Sequence, residues 1–148
     1  MENSNNIFNL THMIEQITNE NIVRFTKEFS YPIGISTIIV LSEIEARGPV
    51  KQIDLTEALG YSKSTITNIA EKLVKLELVH RIYDSSDRRT VYLKITNKGI
   101  EVLKEAKSIG DNIYKELYSI LSKDELSFYI EIQKKLIAHI SNDKRLSF

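Results

Sequence analysis

The short polar side chains that follow Tyr61 are the residues of this sequence best suited to form hydrogen bonds with a binding partner. Two serines, a threonine and a lysine occupy positions 62–65, and Thr67 and Asn68 follow them. Short side chains let a backbone approach an anionic surface closely, and an asparagine amide can make two hydrogen bonds to adenine. Between Tyr61 and Lys98 there are eight basic and four acidic residues, although the formal net charge of the whole chain is +0. Such a basic block is typical of a nucleic-acid-binding surface, and chance clustering of solvated charges is the alternative interpretation.

Two predicted helices joined by a short turn position these polar side chains. The first runs from Gln52 to Leu59 and is ended by Gly60, and the second begins after Ser62, a suitable cap, and reaches about Glu77. The apolar face of the second helix holds Ile66, Ile69, Ala70, Leu73 and Leu76, and its polar face holds Ser64, Thr67, Asn68, Glu71 and Lys75. This division predicts a helix-turn-helix whose second helix reads DNA, and a surface helix with a solvated face is the alternative.

A β-hairpin is predicted after the second helix, because the apolar period changes there from 3.6 to 2 residues. In the first strand the apolar Leu78 and Ile82 flank His80 on one face, and in the second strand apolar and polar residues alternate. The polar turn between the strands ends in Asp87-Arg88-Arg89. An arginine at such a tip can enter a narrow, strongly negative minor groove of DNA. The aspartate either orients a neighbouring guanidinium or simply pairs with an arginine in a solvated turn.

Longer amphipathic helices are predicted on both sides of this central region. Apolar residues recur at helical spacing over about 6–29 and 35–47, and Gly48-Pro49 ends the second of these helices. After the hairpin, Thr96 can cap a helix with the apolar stripe Ile100, Leu103, Ile113, Leu117 and Ile120, and Ser122–Glu125 matches the capping box of a last helix. The terminal stripes are too long for the central core to cover. The end helices are therefore predicted to pack on each other or on a second copy, and a monomer in which they pack on the centre is the alternative. The predicted fold class is mainly α (α+β).

The remaining composition excludes several classes of function. The chain of 148 residues has no cysteine, and its three histidines, His12, His80 and His139, are dispersed. We therefore expect no catalytic residues and no metal site, and without a glycine-rich phosphate loop we expect no cofactor. The apolar stretch from Ile33 to Leu41 is much shorter than the roughly 20 residues that a membrane span needs. Together with the polar start of the sequence, this predicts a cytoplasmic protein without a signal peptide or a membrane partner.

Three motifs together resemble the MarR family of regulators. The segment Leu78–Arg81, followed by Asp87-Arg88-Arg89, an apolar strand and Ile95–Gly99, is similar to that family's signature, an acidic-x-Arg wing before a Leu/Ile-Thr-x-x-Gly helix start. The segment Leu59–Thr67 is similar to its turn and recognition helix, and Gly48-Pro49 lies where many members have such a break. The close similarity covers about Ile35–Gly99, and the order of helices extends it over nearly the whole chain.

The resemblance implies a homodimeric winged helix-turn-helix protein that binds double-stranded DNA and represses nearby genes. It implies an N-terminal dimerisation helix over 5–31, a DNA-binding domain over 34–99 and C-terminal dimerisation helices over 100–144. The residues expected to contact DNA are Ser62, Lys63, Ser64, Thr65, Thr67, Asn68, Lys72, Arg88, Arg89 and Lys94, with Asp87 orienting the wing. A small-molecule effector, for which an aromatic acid is the family analogy, is expected between the two domains. Candidates for its pocket are Phe25, Phe29, Tyr31 and Arg47, with core packing as the alternative for the aromatic rings.

Two departures from the family pattern limit what the resemblance carries over. Asn68 and Ile69 stand where many members have a basic residue, so the base preference is not transferred, and Lys51 replaces the usual Ser or Thr cap of the short helix. The competing function is a winged-helix module that binds protein instead of DNA, such as an antirepressor or an assembly subunit. Glu71 favours that alternative, whereas the other polar residues of the second helix and the wing arginines favour DNA.

Overall fold

The computed structural model describes residues 2–142, with side chains from Asn6 onward. In this part of the chain, six helices accompany one two-stranded antiparallel sheet. In chain order the elements are α1 (Glu2–Glu28), α2 (Ile35–Arg47), α3 (Gln52–Leu59), α4 (Lys63–Lys75), β1 (Val79–Tyr83), β2 (Val91–Ile95), α5 (Asn97–Tyr118) and α6 (Lys123–Asn142). The predicted mainly helical fold with a small hairpin is confirmed. No helix among the described residues is long and apolar enough to cross a membrane.

The chain divides into two compact units, one ending at Gly110 and the other beginning at Asp111. In the first unit, α2, α3, α4 and the hairpin enclose the core, and its fully buried side chains include Leu41, Ile44, Leu55, Ile66, Leu73 and Leu93. The segment before α3 joins the sheet, because Val50 exchanges two backbone hydrogen bonds with Leu93, 3.0 and 2.8 Å long. The hairpin is therefore tied to the start of α3 as well as to α4.

The turn between α3 and α4 follows the predicted pattern. Gly60 ends α3 in a left-handed conformation (φ 67°), which glycine adopts without steric cost. Ser62 caps α4, since its hydroxyl accepts a 3.1 Å hydrogen bond from the backbone N–H of Thr65. At its other end α4 stops at Lys75, two residues earlier than predicted, because Glu77 takes a positive φ of 61° that no helix continues.

The buried face of the hairpin differs from the one suggested by the spacing of Leu78, His80 and Ile82. Val79 is only 1% exposed, whereas His80 is exposed. The reason is that Leu78 precedes the strand and is held in the turn after α4 by a bond from its N–H to the carbonyl of Leu73. The strand alternation begins at Val79, and therefore Arg81 faces the same side as its cross-strand partner Leu93.

The first turn of α5 is attached to the segment that follows α4, and we call this attachment the α5 anchor. Thr96 caps α5, because its hydroxyl oxygen accepts a 3.0 Å bond from the N–H of Gly99, as predicted. The same hydroxyl donates to the carbonyl of Glu77 at 2.7 Å, and Lys98 Nζ donates to the carbonyl of Leu76 at 3.0 Å. The anchor thus joins the start of α5 to the backbone just beyond α4.

α1 has an apolar stripe that changes from exposed to buried along its length. Phe25 is buried, as is Asn21 one turn earlier. The four preceding members of the stripe, Ile7, Leu10, Ile14 and Ile17, are 49–65% exposed. Among the residues that the structure describes, the N-terminal part of this face is therefore largely uncovered.

The second unit contains α6, which begins with the predicted capping box. The N–H of Ser122 donates to Glu125 Oε2 at 2.8 Å, and the N–H of Glu125 donates to the Ser122 hydroxyl at 3.2 Å. Many large apolar side chains of α6 are exposed, including Phe128, Ile130, Ile132, Leu136, Ile137 and Ile140. Ile120, predicted as the last member of the α5 stripe, lies beyond the end of that helix and is 84% exposed.

Candidate nucleic-acid interface

The N-terminal turn of α4 is organised by hydroxyl groups. The Ser62 hydroxyl, besides capping the helix, lies 2.7 Å from the Thr65 hydroxyl and 3.2 Å from the Ser64 hydroxyl. All three side chains and Lys63 are exposed. Ser62 and Thr65 therefore shape the turn as well as offering polar atoms to a ligand, while the free N–H groups of a helix start favour an anion.

Thr67 and Asn68, predicted as neighbouring DNA contacts, lie in different surroundings. The Thr67 hydroxyl donates to the carbonyl of Lys63 at 2.9 Å and lies 3.4 Å from Gln52 Oε1, and the side chain is half-buried. Asn68 is exposed, and its side chain makes no hydrogen bond within the described part of the chain. Because both its amide groups are available, Asn68 is the better placed of the two to contact a base edge.

The wing tip is built by two aspartates that bind backbone N–H groups. Asp87 Oδ1 accepts a 3.0 Å bond from the N–H of Arg89, and Thr90 donates its hydroxyl to the other carboxylate oxygen at 3.4 Å. Asp84 accepts bonds from the N–H and hydroxyl of Ser86, and these bonds lower the pKa of the Asp84 carboxyl. Asp87 is thus occupied with the turn itself.

The wing arginines are left available by this arrangement. Arg88 and Arg89 are exposed, and neither guanidinium has an acidic partner among the residues that the structure describes. The ordered turn therefore presents two unneutralised cations at its end, which is the arrangement that an anionic groove requires.

Two substitutions can separate the hydrogen bonds that Asp87 makes in the turn from the effect of its negative charge. Asp87→Asn keeps an oxygen that can accept from the N–H of Arg89, so we expect it to bind DNA nearly as the parent chain does. Asp87→Ala removes that acceptor, and we expect a lower melting temperature and weaker binding because the tip is no longer fixed. Differential scanning fluorimetry and fluorescence anisotropy with a duplex measure the two effects. Equal loss of binding in both variants would mean that the charge, not the turn, is what matters.

The other predicted contacts are distributed over both sides of this surface. Lys72 lies on the exposed face of α4, in a shallow cleft shared with Asn68 and Pro32. Lys94 is exposed on the outer face of β2, opposite His80. Both lysines belong to the same compact unit as the wing.

Of the residues predicted to line an effector pocket, the two phenylalanines are buried and the arginine forms an ion pair on α2. Phe25 and Phe29 are buried with their ring centroids 5.1 Å apart, and Tyr31 lies 6.1 Å from Phe29. Arg47 is paired with Glu43, one turn earlier on α2. The aromatic rings thus pack on one another as core residues do, and an effector pocket at these positions stays a prediction.

A cleft between the start of α3 and the hairpin is lined by two cationic residues, Lys51 and Arg81, that are not among the predicted DNA contacts. Its lining includes Lys51, Gln52, Arg81 and Arg89, and we call it the cationic cleft. In the sequence, Lys51 stood out only as a replaced helix cap, and Arg81 belonged to the basic block without being predicted as a contact. The exchange of hydrogen bonds between Val50 and Leu93 places the start of α3 beside β2, and sequence spacing contains no signal for that contact.

These features define a winged helix-turn-helix unit, in which α3 and α4 form the helix-turn-helix and β1–β2 the wing. Comparisons with known proteins agree. The MarR family model matches residues 35–91. The chain is 29% identical over 138 residues to the HTH-type transcriptional regulator PapX of Escherichia coli, covering 88% of this chain and 84% of PapX. The YusO protein from Bacillus subtilis has a similar structure, with a TM-score of 0.75 at 22% identity, covering 91% of this chain and 94% of YusO.

A mutant MarR from E. coli complexed with operator DNA also has this fold. Its TM-score is 0.72 at 22% identity, and the alignment covers 89% of this chain and 96% of that chain. The chain belongs to the MarR family, a non-enzymatic family of DNA-binding transcription regulators. The predicted family resemblance and the prediction that the chain is not an enzyme are confirmed.

Proposed function

We propose that this protein represses transcription by binding operator DNA as a homodimer. The observation that carries the proposal is the ordered wing, whose turn is fixed by Asp87 while Arg88 and Arg89 have no acidic partner in the described chain. In this proposal Asn68 contacts base edges in the major groove and Arg89 enters the adjacent minor groove. The relative whose structure contains operator DNA has the same fold, which supports this choice of ligand.

A homodimer is supported by the uncovered apolar side chains of α1 and α6, which a second copy would bury. A two-fold dimer presents two copies of α4, so its operator should be pseudo-palindromic, with half-site centres about 10 bp apart. Release by a small ligand, of which an aromatic acid is the family analogy, remains part of the proposal. Its support is the family resemblance alone.

The experiment that tests the proposal compares a residue expected to contact base edges with a residue expected to enter the minor groove without selecting a base. A duplex selected by the parent protein from a random-sequence library is titrated by anisotropy, at several salt concentrations, with Asn68→Ala and Arg89→Ala. Asn68→Ala should weaken binding to the selected duplex by about 1–3 kcal/mol, because a bidentate contact is lost, and should change the preferred sequence. Arg89→Ala should weaken binding to all duplexes. It should also reduce the slope of log affinity against log salt concentration by about one unit per subunit.

Lys104→Ala is the matched control, because it removes an exposed cation of α5 that pairs with Glu101 and lies outside the interface. It should change neither sequence preference nor the salt slope. A parent protein whose affinity for every duplex is weak and independent of salt would favour the protein-binding alternative. Full binding by Arg89→Ala would show that the hairpin is not a DNA-binding wing.

A further inference from the structure

Glu71 is a residue of the polar face of α4 to which the proposed function gives no role. It is exposed, and its carboxylate makes no ion pair within the part of the chain that the structure describes. Lys75 lies four residues later, a spacing that favours an ion pair on a helix, yet it too is exposed and outside those ion pairs. A carboxylate on a helix that approaches phosphates is repelled by them, so it is favourable there only if it meets a hydrogen-bond donor.

The position of Glu71 on α4 is close to that of the residues expected to contact bases. Around the helix axis it lies about 20° from Ser64 and about 60° from Asn68, because successive residues are about 100° apart. The buried residues of α4 lie on the other side of the helix. Asn68 and Glu71 also line the same shallow cleft beside Pro32. A helix that presents Asn68 to a base edge therefore presents Glu71 to the same groove.

The chemistry of a carboxylate limits which base Glu71 can contact. A carboxylate only accepts hydrogen bonds, so the base edge must offer a donor. In the major groove, guanine presents two acceptors, and thymine presents an acceptor and a methyl group. Adenine presents an amino donor, but its N7 acceptor lies beside it and would repel a second carboxylate oxygen. Cytosine presents its N4 amino group as the only polar group on its edge, so it is the base that a carboxylate selects.

We propose that Glu71 selects a C·G base pair in each half-site of the operator by accepting a hydrogen bond from the N4 amino group of the cytosine. This inference rests on the proposed function and deepens it, because it names a base pair that α4 reads. Glu71 lies about 4.5 Å beyond Asn68 along the helix, and base pairs are about 3.4 Å apart, so the C·G pair lies one or two steps from the pair that Asn68 contacts. Glu71 thus adds specificity while its charge lowers the affinity for DNA of any sequence.

The test compares the full chain with Glu71→Gln and Glu71→Ala. The proteins are titrated by anisotropy with the duplex that the parent selects from a random-sequence library, with duplexes in which its C·G pair is replaced in both half-sites, and with a scrambled duplex of the same composition. The parent should prefer C·G roughly tenfold over the other pairs. Glu71→Gln should transfer the preference to A·T, because a glutamine amide accepts from N6 of adenine and donates to N7.

Glu71→Ala should lose the preference between base pairs and bind the scrambled duplex about two- to threefold more tightly than the parent does, because a negative charge is removed from a surface that faces phosphates. A variant that failed to fold would bind every duplex less well, so the gain in this affinity identifies the effect. Alanine and glutamine both favour a helix, and the melting temperatures should therefore match that of the parent. Glu101→Gln is the control, because it removes the same charge from an exposed residue of α5 that pairs with Lys104.

Each other outcome has a distinct meaning. If the parent protein binds no duplex, the proposed function fails, and this inference fails with it. If the parent protein binds but both Glu71 variants keep its order of preference among the duplexes, only this inference is overturned. It is also overturned if both variants bind every duplex equally less well than the parent, because Glu71 would then support the helix surface without reading a base.

Discussion

Gly99→Ala is expected to destabilise the chain by about 3 kcal/mol or more, the upper end of what one inserted methyl group costs in a packed site. A Cβ at this position would overlap the carbonyl oxygen of Leu78 and lie 2.7 Å from Cγ1 of Ile95. The carbonyl cannot move aside freely, because it accepts a 3.0 Å bond from the N–H of Thr96. Relief of the overlap therefore requires displacement of α5 from the end of α4. Urea denaturation followed by circular dichroism measures the loss.

The same substitution at Gly110 provides a control within the same helix. Nothing lies within 4 Å of a Cβ at Gly110, so Gly110→Ala should stabilise α5 by about 0.5–1 kcal/mol through the lower backbone entropy of alanine. The two variants are expected to shift the urea midpoint in opposite directions. A Gly99→Ala protein as stable as the parent would mean that the close approach of α5 to Leu78 is not present in solution.

A double substitution on α1, Ile14→Lys with Ile17→Lys, is expected to convert the proposed dimer into a folded monomer. The two side chains are 56% and 49% exposed in the single chain, so lysines there should leave the protomer fold intact. In a dimer that covers this stripe they would bury four unpaired charges per dimer, a cost of several kcal/mol. Sedimentation equilibrium should give a mass near 17.1 kDa for the variant and about twice that for the parent. Binding to a pseudo-palindromic duplex should fall on the order of 100-fold, since one subunit alone makes half of the contacts.

Gln16→Lys controls for the added charge, because Gln16 is exposed on the side of α1 opposite the stripe. It should remain dimeric and bind as the parent does. A double variant that stays dimeric would place the dimer contact elsewhere, and a parent protein that sediments as a monomer would contradict the proposed assembly itself.

Local sequence signals predicted the helix ends and the wing well. Gly60 and Ser62 define the turn before α4, and Ser122 with Glu125 begins α6, because each is a short-range arrangement that one or two residues determine. The left-handed backbone conformation of Glu77 was not predictable from such local signals. A left-handed conformation at a glutamate is set by the surrounding contacts of the turn, including the bond from Thr96 to its carbonyl.

The site was predictable only where it lies on one contiguous segment. The polar face of α4 and the Asp87-Arg88-Arg89 tip could be read directly, since helical and strand periodicity place those residues. The involvement of Thr67 in bonds to the rest of the fold, and the position of Lys51 over the Tyr92 ring, depend on contacts between α3, α4 and β2. Such contacts have no local signature, and the first strand's alternation was misassigned because Leu78 precedes it.

In the α5 anchor, the segment after α4 and the start of α5 should differ in how well they tolerate substitutions. On the acceptor side the groups used are main-chain carbonyls of Leu76 and Glu77, which every amino acid possesses. On the donor side the hydroxyl of Thr96 and the missing side chain of Gly99 are specific to residue type. Substitutions should therefore be tolerated much better at Glu77, with glycine and asparagine preferred at its positive φ, than at Thr96 or Gly99. Over evolutionary time the attachment therefore constrains the residue types at Thr96 and Gly99 more strongly than those at the two carbonyl positions beyond α4.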